Sequence, residues 1–293
     1  MRASQTTDNA KEILLTTMDP YEFRPWYPTG IRSFVTAGAS NYIALFDEDS
    51  VLKFPLLPPD EKDVYTAKDM GYRRNVRKAA VKGLEVEWQL LQELGQHPRI
   101  IRLVGKHEDG LLLEYLPNGS VERYLRNVAP ATPLDQRLRW ARQAAEGLAY
   151  IHEKNVLHCD FSIGNLLLDN DLSIKLCDFQ GRLLGPDGAV ILDGGAAESV
   201  MSSMPRPDRY HCDRKTDIFA FGTALYFMVT GNPPFPDLDT VDDENEIRRR
   251  FECGEFPALE YRQGGNVVRQ CWMGGYESAT ELVLDLQKLE RGT

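Results

Sequence analysis

The sequence pattern changes near residue 116, and this change constrains the fold more than any other feature. Residues 31–54 are strand-like, and two further apolar runs, at residues 100–104 and 111–115, have the length and composition of strands. After a Pro-Asn-Gly break the chain becomes helical in character, most clearly over residues 134–154. A strand-rich half followed by a helix-rich half predicts an α+β chain with two lobes joined by a short hinge.

Shorter elements can be assigned within the strand-rich half. Apolar runs at residues 43–46 and 51–54 flank the run D-E-D-S at residues 47–50, which predicts a hairpin. Residues 55–82 begin as a loop rich in leucine and proline and continue as a basic stretch, which we interpret as a solvated loop and helix face. Leucine and tryptophan at helical spacing then predict a helix over residues 84–94.

Composition and charge exclude several classes of protein. Hydrophobic residues make up 42 % of the chain and charged residues 27 %, values that are typical of a soluble globular protein. The net charge of −10 argues against a protein that grips a nucleic-acid backbone. The most apolar run, residues 218–229, is shorter than the ~20 residues of a membrane span and predicts a helix buried on all sides. Residues 1–19 contain no apolar stretch long enough for a signal peptide.

The cysteines indicate a reducing compartment. Their number is odd and no two of them have the spacing C-x-x-C, so neither a disulfide framework nor a zinc site is predicted. The expected location is the cytoplasm, with access to the nucleus left open. The five cysteines are Cys159, Cys177, Cys212, Cys253 and Cys271.

Two short runs carry the chemistry of this sequence. The first is H-C-D-F-S-I-G-N at residues 158–165, and the second, thirteen residues further on, is D-F-Q-G at residues 178–181. A loop aspartate or asparagine by itself is usually a turn or cap residue. Here the two runs are separated by the strand-like residues 166–168 and 174–177, and this joint spacing favours a functional role.

The two runs resemble the catalytic loop H-R-D-x-x-x-x-N and the D-F-G motif of protein kinases. Phosphoryl transfer needs a carboxylate that orients the attacking hydroxyl and accepts its proton, and cations that neutralise the phosphate oxygens. The resemblance implies that Asp160 is the base and that Asn165 and Asp178 are oxygen ligands of Mg²⁺. It also implies a bilobal protein-kinase-like fold, with a small strand-rich N-lobe and a larger, mainly helical C-lobe.

The resemblance extends to the binding of ATP. Lys53, in the strand-like run V-L-K, occupies the position of the lysine in V-A-I-K and is the fourth member of the expected catalytic set. Glu87 fits the helix glutamate that orients this lysine, with Glu85 as its rival. Of the loop G-x-G-x-x-G-x-V, only the middle glycine, Gly38, is present.

Other residues are expected to contact the nucleotide by the same resemblance. The run E-Y-L at residues 114–116 looks like the hinge whose backbone pairs with adenine, with Leu113 as the gatekeeper. The whole expected binding set is Gly38, Ile43, Val51, Lys53, Glu87, Leu113, Glu114, Leu116 and Ser120.

The resemblance covers nearly the whole chain, about residues 31–290. The run T-D-I-F-A-F-G looks like the start of the central kinase helix, in which Asp217 would hold the catalytic loop. This run and V-L-K-F-P are most similar to the compact serine/threonine protein kinase-like proteins of filamentous fungi. The implied organisation is an N-terminal extension at residues 1–30 and a kinase domain at 31–293, divided into an N-lobe (31–113), a hinge (114–118) and a C-lobe (119–293).

One departure from the family pattern concerns regulation. Cys159 replaces the arginine of H-R-D, which ordinarily receives a phosphate on the activation segment. We therefore expect a kinase that is not switched in this way, despite three serines in that segment, Ser199, Ser202 and Ser203. Arginines nearby, at positions 206 and 209, could partly substitute for the missing cation.

Other departures concern specificity and the metal motif. Ser162 and Gly164 are neither the lysine of serine/threonine kinases nor the arginine of tyrosine kinases, so serine/threonine specificity is only the default. Gln180 turns D-F-G into D-F-Q-G, which leaves the magnesium aspartate in place and makes the backbone less free to rearrange.

The expected function is that of an ATP- and Mg²⁺-dependent protein kinase. It would act as a monomer on a protein substrate, with no nucleic-acid or membrane partner. One alternative is a pseudokinase, the same fold used as a binding or scaffold module, which the degraded glycine loop favours. A second is a small-molecule phosphotransferase of the aminoglycoside type, which the activation segment and the T-D-I-F-A-F-G helix argue against.

Overall fold

In the computed structural model the described residues are 26–59, 67–195 and 197–292, with side chains described from residue 71 in the second range. The expected N-terminal extension therefore lies outside the described residues as far as residue 25. The same holds for residues 60–66 of the expected Leu-Pro-rich loop.

Contacts between residues divide the chain into two units. The first contains the described residues up to Gln92 together with Arg102–Tyr115, and the second contains Glu93–Ile101 and the described residues from Leu116 onward. A five-stranded sheet characterises the first unit and helices dominate the second, which confirms the predicted α+β fold class. The chain passes from one unit to the other between Tyr115 and Leu116. The predicted lobe boundaries remain predictions.

The sheet of the first unit is antiparallel throughout, in the order β1-β2-β3-β5-β4. Central strand β3 has all six of its residues buried. Its pairing with β2 confirms the predicted hairpin and places Lys53 opposite Ile43 on one side and Leu111 on the other. The strands are β1 (Ser33–Ala37), β2 (Asn41–Leu45), β3 (Ser50–Pro55), β4 (Leu103–His107) and β5 (Gly110–Glu114).

An aromatic cluster packs against β3. The ring centroid of Phe54 lies 5.4 Å from that of Trp26, with the ring planes at 87°, and 5.6 Å from that of Tyr42. The Trp26 indole also donates a hydrogen bond of 2.9 Å to the Pro55 carbonyl. Edge-on aromatic pairs are favourable beyond the area they bury, so this cluster fixes the strand that carries Lys53.

Helix α1 extends over Ala67–Leu94. It begins well before residue 84, so the predicted start of this helix was wrong. The preceding basic stretch is helical because it contains alanine, lysine and arginine and no proline, so intrinsic propensity favours a helix there. The predicted periodic face is present, since Leu84, Leu91 and Leu94 are all buried.

The strand expected at residues 100–104 begins later, at Leu103 of β4. Ile100 and Ile101 are buried in the second unit, where the Ile101 amide donates to the Leu176 carbonyl at 2.9 Å. An apolar run alone does not reveal which neighbour its residues will pair with.

The second unit contains helices and two groups of short strands. Strand β7 pairs with β8, and β9 lies between β6 and β10, all antiparallel. The helices are α2 (Val121–Arg123), α3 (Leu134–Glu153), α4 (Arg214–Thr230), α5 (Glu244–Glu252), α6 (Gly265–Trp272) and α7 (Ala279–Gly292). The strands are β6 (Val156–Leu157), β7 (Leu166–Leu168), β8 (Ile174–Leu176), β9 (Arg182–Leu184) and β10 (Val190–Asp193).

Helix α4 is the predicted helix buried on all sides, and most of its residues are buried. It begins with a capping box in which the Asp213 carboxylate accepts the Thr216 amide at 2.9 Å. It ends at Gly231, whose φ of 78° is the left-handed conformation of many helix ends. None of the described helices combines the length and apolar character that a membrane span requires.

Candidate active site

Lys53 and Glu87 form a buried ion pair in the first unit. Strand β3 supplies the lysine and helix α1 the glutamate, and Lys53 Nζ lies 2.5 Å from Glu87 Oε2. The side chains are 7 % and 0 % exposed. The rival residue, Glu85, instead binds Lys106 at 2.6 Å on the surface. The structure thus selects Glu87 as the partner of Lys53, and their roles toward ATP remain predictions.

Gly38 lies in the turn between β1 and β2, where its amide donates to the Asn41 carbonyl at 2.8 Å. Its φ is not in the left-handed region, and an added Cβ would meet only that carbonyl, at an ordinary contact distance of 3.6 Å. Neither the backbone nor a neighbour therefore requires a glycine at this position. Asn41 belongs to β2 and does not use the left-handed conformation that its residue type tolerates.

The other residues expected to contact the nucleotide from the first unit lie on its three central strands. Val51 of β3 is buried and pairs with Leu113 of β5, which is also buried, and Ile43 of β2 is half-buried. Glu114 ends β5, where its carboxylate accepts the Arg102 amide at 2.7 Å.

Two further predicted residues belong to the second unit. The carbonyl of Leu116 accepts the Gly119 amide at 3.1 Å, which closes a turn. The Ser120 hydroxyl accepts the Arg123 amide at 3.3 Å and caps α2. A capping role accounts for this serine locally, and its contact with a nucleotide remains a prediction.

Asp217 binds the expected catalytic loop, residues 158–165, in the second unit. One carboxylate oxygen accepts the His158 amide and the other the Cys159 amide, each at 2.9 Å. His152 Nε2 lies 2.9 Å from the first oxygen. Asp217 lies in the first turn of α4 and is 1 % exposed, so the most buried helix sets the position of the loop. The expectation that Asp217 holds the loop is confirmed.

Asp160 and Asn165 lie together in this loop, and both are half-buried. The Asn165 side-chain nitrogen donates to the Asp160 carbonyl at 2.9 Å and to its carboxylate at 3.4 Å. Because the nitrogen is used in this way, the Asn165 side-chain oxygen is the atom that would bind a metal. An amide oxygen is a hard ligand of the kind that Mg²⁺ prefers.

Asp178 has a left-handed backbone, with φ of 65°. Gln180 stabilises this turn, since its amide donates to the Asp178 carbonyl at 3.0 Å and its side chain to the carboxylate at 3.1 Å. The glutamine in D-F-Q-G therefore contacts the expected metal ligand directly. Sequence reasoning did not anticipate this contact.

Gly181, and not the position of Gln180, has the strictest requirement for glycine in this motif. A Cβ at Gly181 would lie 2.1 Å from the Leu157 carbonyl oxygen and 2.4 Å from that of His158. No side chain can be accommodated at such distances. Gly181 was the signal of this close approach in the sequence, whereas the prediction concerned the neighbouring Gln180.

Burial and neighbouring groups shift the pKa values of His158 and Asp217. Burial lowers the pKa of His158, against the charges of Asp217 and Asp178 that raise it, so the imidazole is neutral at neutral pH. Burial alone would raise the pKa of Asp217, but its hydrogen bond with His152 and the charges around it outweigh this effect and lower it. The aspartate is therefore an anion that accepts the loop amides.

The activation segment is fastened to the catalytic loop by backbone and side-chain contacts. Strand β9 pairs with β6, and the Ala197 amide donates to the Cys159 carbonyl at 3.2 Å. Arg182 of β9 binds Asp193 of β10 at 3.0 Å. Asp193 thus supplies a carboxylate to an arginine beside the catalytic loop, a contact that the sequence alone did not reveal.

The serines and arginines expected in this segment differ in their environment. Ser199 is exposed, whereas Ser202 and Ser203 are buried. Arg206 binds Glu198 at 2.7 Å, with both side chains almost fully buried. Arg206 is thus already paired with a buried carboxylate in this arrangement, and its substitution for the missing cation remains a prediction.

Asn165 and Asp178 remain the predicted metal ligands, and they would offer one amide oxygen and one carboxylate to a hard cation. Within the described part of the chain, no group of three or more His, Cys, Asp or Glu side chains is arranged to hold a metal ion. Two protein ligands nevertheless fit Mg²⁺, which is commonly bound by one or two protein groups together with phosphate oxygens and water.

Comparison with known proteins gives a consistent result. A family model described as protein tyrosine and serine/threonine kinase matches residues 68–282. The chain is 32 % identical over 213 residues to the probable serine/threonine-protein kinase PBL15 of Arabidopsis thaliana, covering 63 % of this chain and 49 % of that protein. It is 29 % identical over 243 residues to the serine/threonine-protein kinase STE11 of Saccharomyces cerevisiae, covering 76 % and 32 %.

A third relative is the serine/threonine-protein kinase PKH2 of Saccharomyces cerevisiae, 30 % identical over 193 residues, with 60 % of this chain and 18 % of that protein covered. The chain thus spans half or less of the length of these curated relatives.

Proposed function

Because this chain belongs to the protein tyrosine and serine/threonine kinase family, we propose that it transfers the γ-phosphoryl group of ATP to a protein hydroxyl, with Mg²⁺ as cofactor. Serine or threonine is the proposed acceptor, since the relatives described above are serine/threonine-protein kinases. The observation that carries the proposal is the arrangement of Asp160 and Asn165 in a loop whose two preceding amides are bound by the buried Asp217 carboxylate.

Each proposed catalytic residue has a role that its surroundings support. Asp160 orients the attacking hydroxyl and accepts its proton. The Asn165 side chain donates a hydrogen bond to the Asp160 carboxylate and so restrains its position. Asn165 and Asp178 would hold Mg²⁺, which supplies charge neutralisation at the phosphate oxygens. Lys53, oriented by Glu87, would contact the α- and β-phosphates.

The remaining proposals concern binding and organisation. The backbone of Glu114 and Leu116 would pair with adenine, with contacts from Gly38, Ile43, Val51, Leu113 and Ser120. We propose a kinase domain from residue 31 to 293 with a hinge at residues 114–118, acting as a monomer on a protein substrate. We also propose a cytoplasmic location with access to the nucleus, and no nucleic-acid or membrane partner.

The direct test is transfer of radiolabelled phosphate from ATP to generic protein substrates. Asp160→Asn removes the base and Asp178→Asn a metal carboxylate, and each should lower the rate by about 100-fold or more while the protein stays folded. Asp242→Asn, at an exposed loop position, is the matched control and should keep the parent rate. Equal transfer by the parent and Asp160→Asn would overturn the assignment of the base.

One observation favours a second candidate, a pseudokinase that binds partners and transfers little phosphate. The turn that would cover the phosphates has a single glycine, Gly38, and its conformation does not require one. A parent protein that binds ATP and Mg²⁺ but labels no substrate, itself included, would favour this candidate over the enzyme.

A further inference from the structure

Cys159 and Cys212 are two buried cysteines of the second unit. Cys159 immediately precedes the proposed base, and Cys212 lies just before α4. Together with Leu157 they form one buried cluster, against which the half-buried Leu184 packs. Each thiol shifts the pKa of the other, and both cysteines are free.

This pair differs from two cysteines that only fill space in a core. An Arg206 guanidinium nitrogen lies 3.9 Å from Cys212 Sγ and donates to it. A guanidinium beside a sulfur favours the thiolate, which is the reactive form of cysteine. A purely apolar environment would favour the inert thiol.

We propose that Cys159 and Cys212 are an oxidisable dithiol, which a peroxide converts into a disulfide that ties the catalytic loop to the chain entering helix α4. The cysteine that replaces the arginine of H-R-D would then be one half of a modification site. The formation of this disulfide does not depend on the proposed kinase activity. Only its effect on phosphate transfer rests on the proposed function.

The reaction balances with one equivalent of peroxide. The Cys212 thiolate attacks one peroxide oxygen, the O–O bond breaks, and the products are a sulfenic acid and, after protonation, water. The Cys159 sulfur then attacks the sulfenic sulfur, the S–O bond breaks, and hydroxide leaves with the Cys159 proton as a second water. Two thiols lose two electrons in total, and one peroxide is reduced to two waters.

Cys212 is the residue that reacts first. It is 6 % exposed, against 1 % for Cys159, and it directly follows the exposed residues 207–211, so a short local movement would open it to solvent. The interaction with Cys159 lowers the pKa of Cys212, and the Arg182 and Arg206 charges act in the same direction, against burial and the charge of Glu198, which raise it. The same interaction, together with burial, raises the pKa of Cys159, which suits the resolving partner.

The disulfide is expected to lower phosphate transfer. The two sulfurs, which lie in one buried cluster, must approach to about 2.0 Å to form the bond, which draws Cys159 toward Cys212. Asp160 directly follows Cys159 in the chain, and the Cys159 amide is bound by Asp217. Because a displacement of about 1 Å at a catalytic group can cost up to 100-fold in rate, we expect a reversible loss of about 10-fold or more.

The experiment uses the reduced full chain, treated with hydrogen peroxide, blocked with iodoacetamide and digested with trypsin without reduction. The five cysteines fall in five different tryptic peptides, so a disulfide can be assigned by mass spectrometry. We expect the peptide of residues 155–175 joined to that of residues 210–214. Transfer activity should fall with the same time course and recover in dithiothreitol.

Two variants separate this pair from other thiols. Cys212→Ser should abolish the joined peptides and make the transfer rate insensitive to peroxide. Cys253→Ser removes an exposed cysteine and is the matched control, which should still form the disulfide. Absence of the joined peptides from the oxidised parent would overturn the proposal, whether or not Cys212→Ser folds.

Activity adds a separate outcome. Equal inactivation of the parent and Cys212→Ser would show that oxidation acts elsewhere and would overturn the regulatory effect. A parent that transfers no phosphate before oxidation would contradict the proposed function, while the peptide map would still decide the disulfide.

Discussion

Cys159 and Asp178 both have a left-handed backbone, with φ of 60° and 65°, although neither is a glycine. This conformation costs roughly 1 kcal/mol for such a residue, and strained positions of this kind tend to occur at functional sites. The surrounding contacts offset the cost: Asp217 binds the Cys159 amide, and Gln180 binds both the carbonyl and the carboxylate of Asp178. The two strained residues flank the proposed chemistry.

The ion pair of Lys53 and Glu87 predicts a loss of stability as well as of activity. Lys53→Met removes the cation that lies 2.5 Å from a fully buried carboxylate, and breaking such a pair costs about 3 kcal/mol. Urea denaturation should show this loss, and the double variant Lys53→Met/Glu87→Gln should recover at least half of it.

The matched control for this pair is Glu85→Gln. Glu85 binds Lys106 on the surface at 2.6 Å, and exposed pairs contribute only about 0.5 kcal/mol. If Lys53→Met is no less stable than Glu85→Gln, the buried pair does not have the energetic role given to it here.

Buried His158 predicts that stability falls on mild acidification. Its pKa lies below the ordinary 6.5, mainly because of burial. Below pH 6.5 the unfolded chain therefore takes up a proton that the folded chain excludes, whereas above this pH the group has no effect. Between pH 7 and 5.5 this group should remove about 1 kcal/mol of unfolding free energy. His158→Gln, which cannot titrate, should show a shallower decline, and identical pH profiles would contradict the prediction.

At the scale of elements, the helices differ in how much of their surface is buried. Helix α1 presents an exposed basic face before its buried leucines, and helix α4 is buried along most of its length. Helix α3 lies between these extremes, with buried residues along one side. The effect on stability of substituting one residue type therefore depends on how far its position in the helix is buried.

Two helical glycines provide a matched pair of substitutions with opposite expected signs. Gly71 in α1 is exposed and an added Cβ would meet nothing within 4 Å, so Gly71→Ala should stabilise the protein by about 0.5–1 kcal/mol. At Gly147 in α3 a Cβ would lie 2.6 Å from Leu176 Cδ1 and 3.3 Å from the Arg99 carbonyl. Gly147→Ala should therefore destabilise it by about 1–3 kcal/mol. Urea denaturation measures both, and a shift of the same sign would contradict the packing at Gly147.

At the scale of the whole molecule, the proposed ligand-binding residues are divided between the two units. Lys53 and Glu87 belong to the first, whereas Asp160, Asn165 and Asp178 belong to the second. Binding of ATP with Mg²⁺ therefore tests proposed residues of each unit. It also separates a nucleotide-binding protein from a scaffold that binds none.

We expect ATP and Mg²⁺ together to raise the melting temperature. At 100 times the dissociation constant the added stability is about 2.7 kcal/mol, which corresponds to roughly 5 °C for a chain of this size. ATP with a chelator should give a smaller shift, and Asp178→Asn should lose the part that depends on Mg²⁺. Equal shifts for the parent and Asp178→Asn would remove Asp178 from the metal site.

Several features followed from the sequence alone. The α+β organisation, the hairpin before Lys53 and the buried helix α4 depend on periodicity and turn residues, which are local properties of the chain. The spacing of Asp160, Asn165 and Asp178 is also local, because one loop and one strand pair connect them. These features could be predicted without knowledge of the partners of any residue.

Tertiary structure decided the rest. It selected Glu87 over Glu85 as the partner of Lys53, bound Arg206 to Glu198, and brought Cys159 against Cys212. Each of these outcomes depends on which side chains burial brings together, and the energy of a charge or a thiol depends on that neighbourhood far more than on its residue type. The sequence determines which groups are present, but only the packing determines which of them are buried together and lose their contact with water.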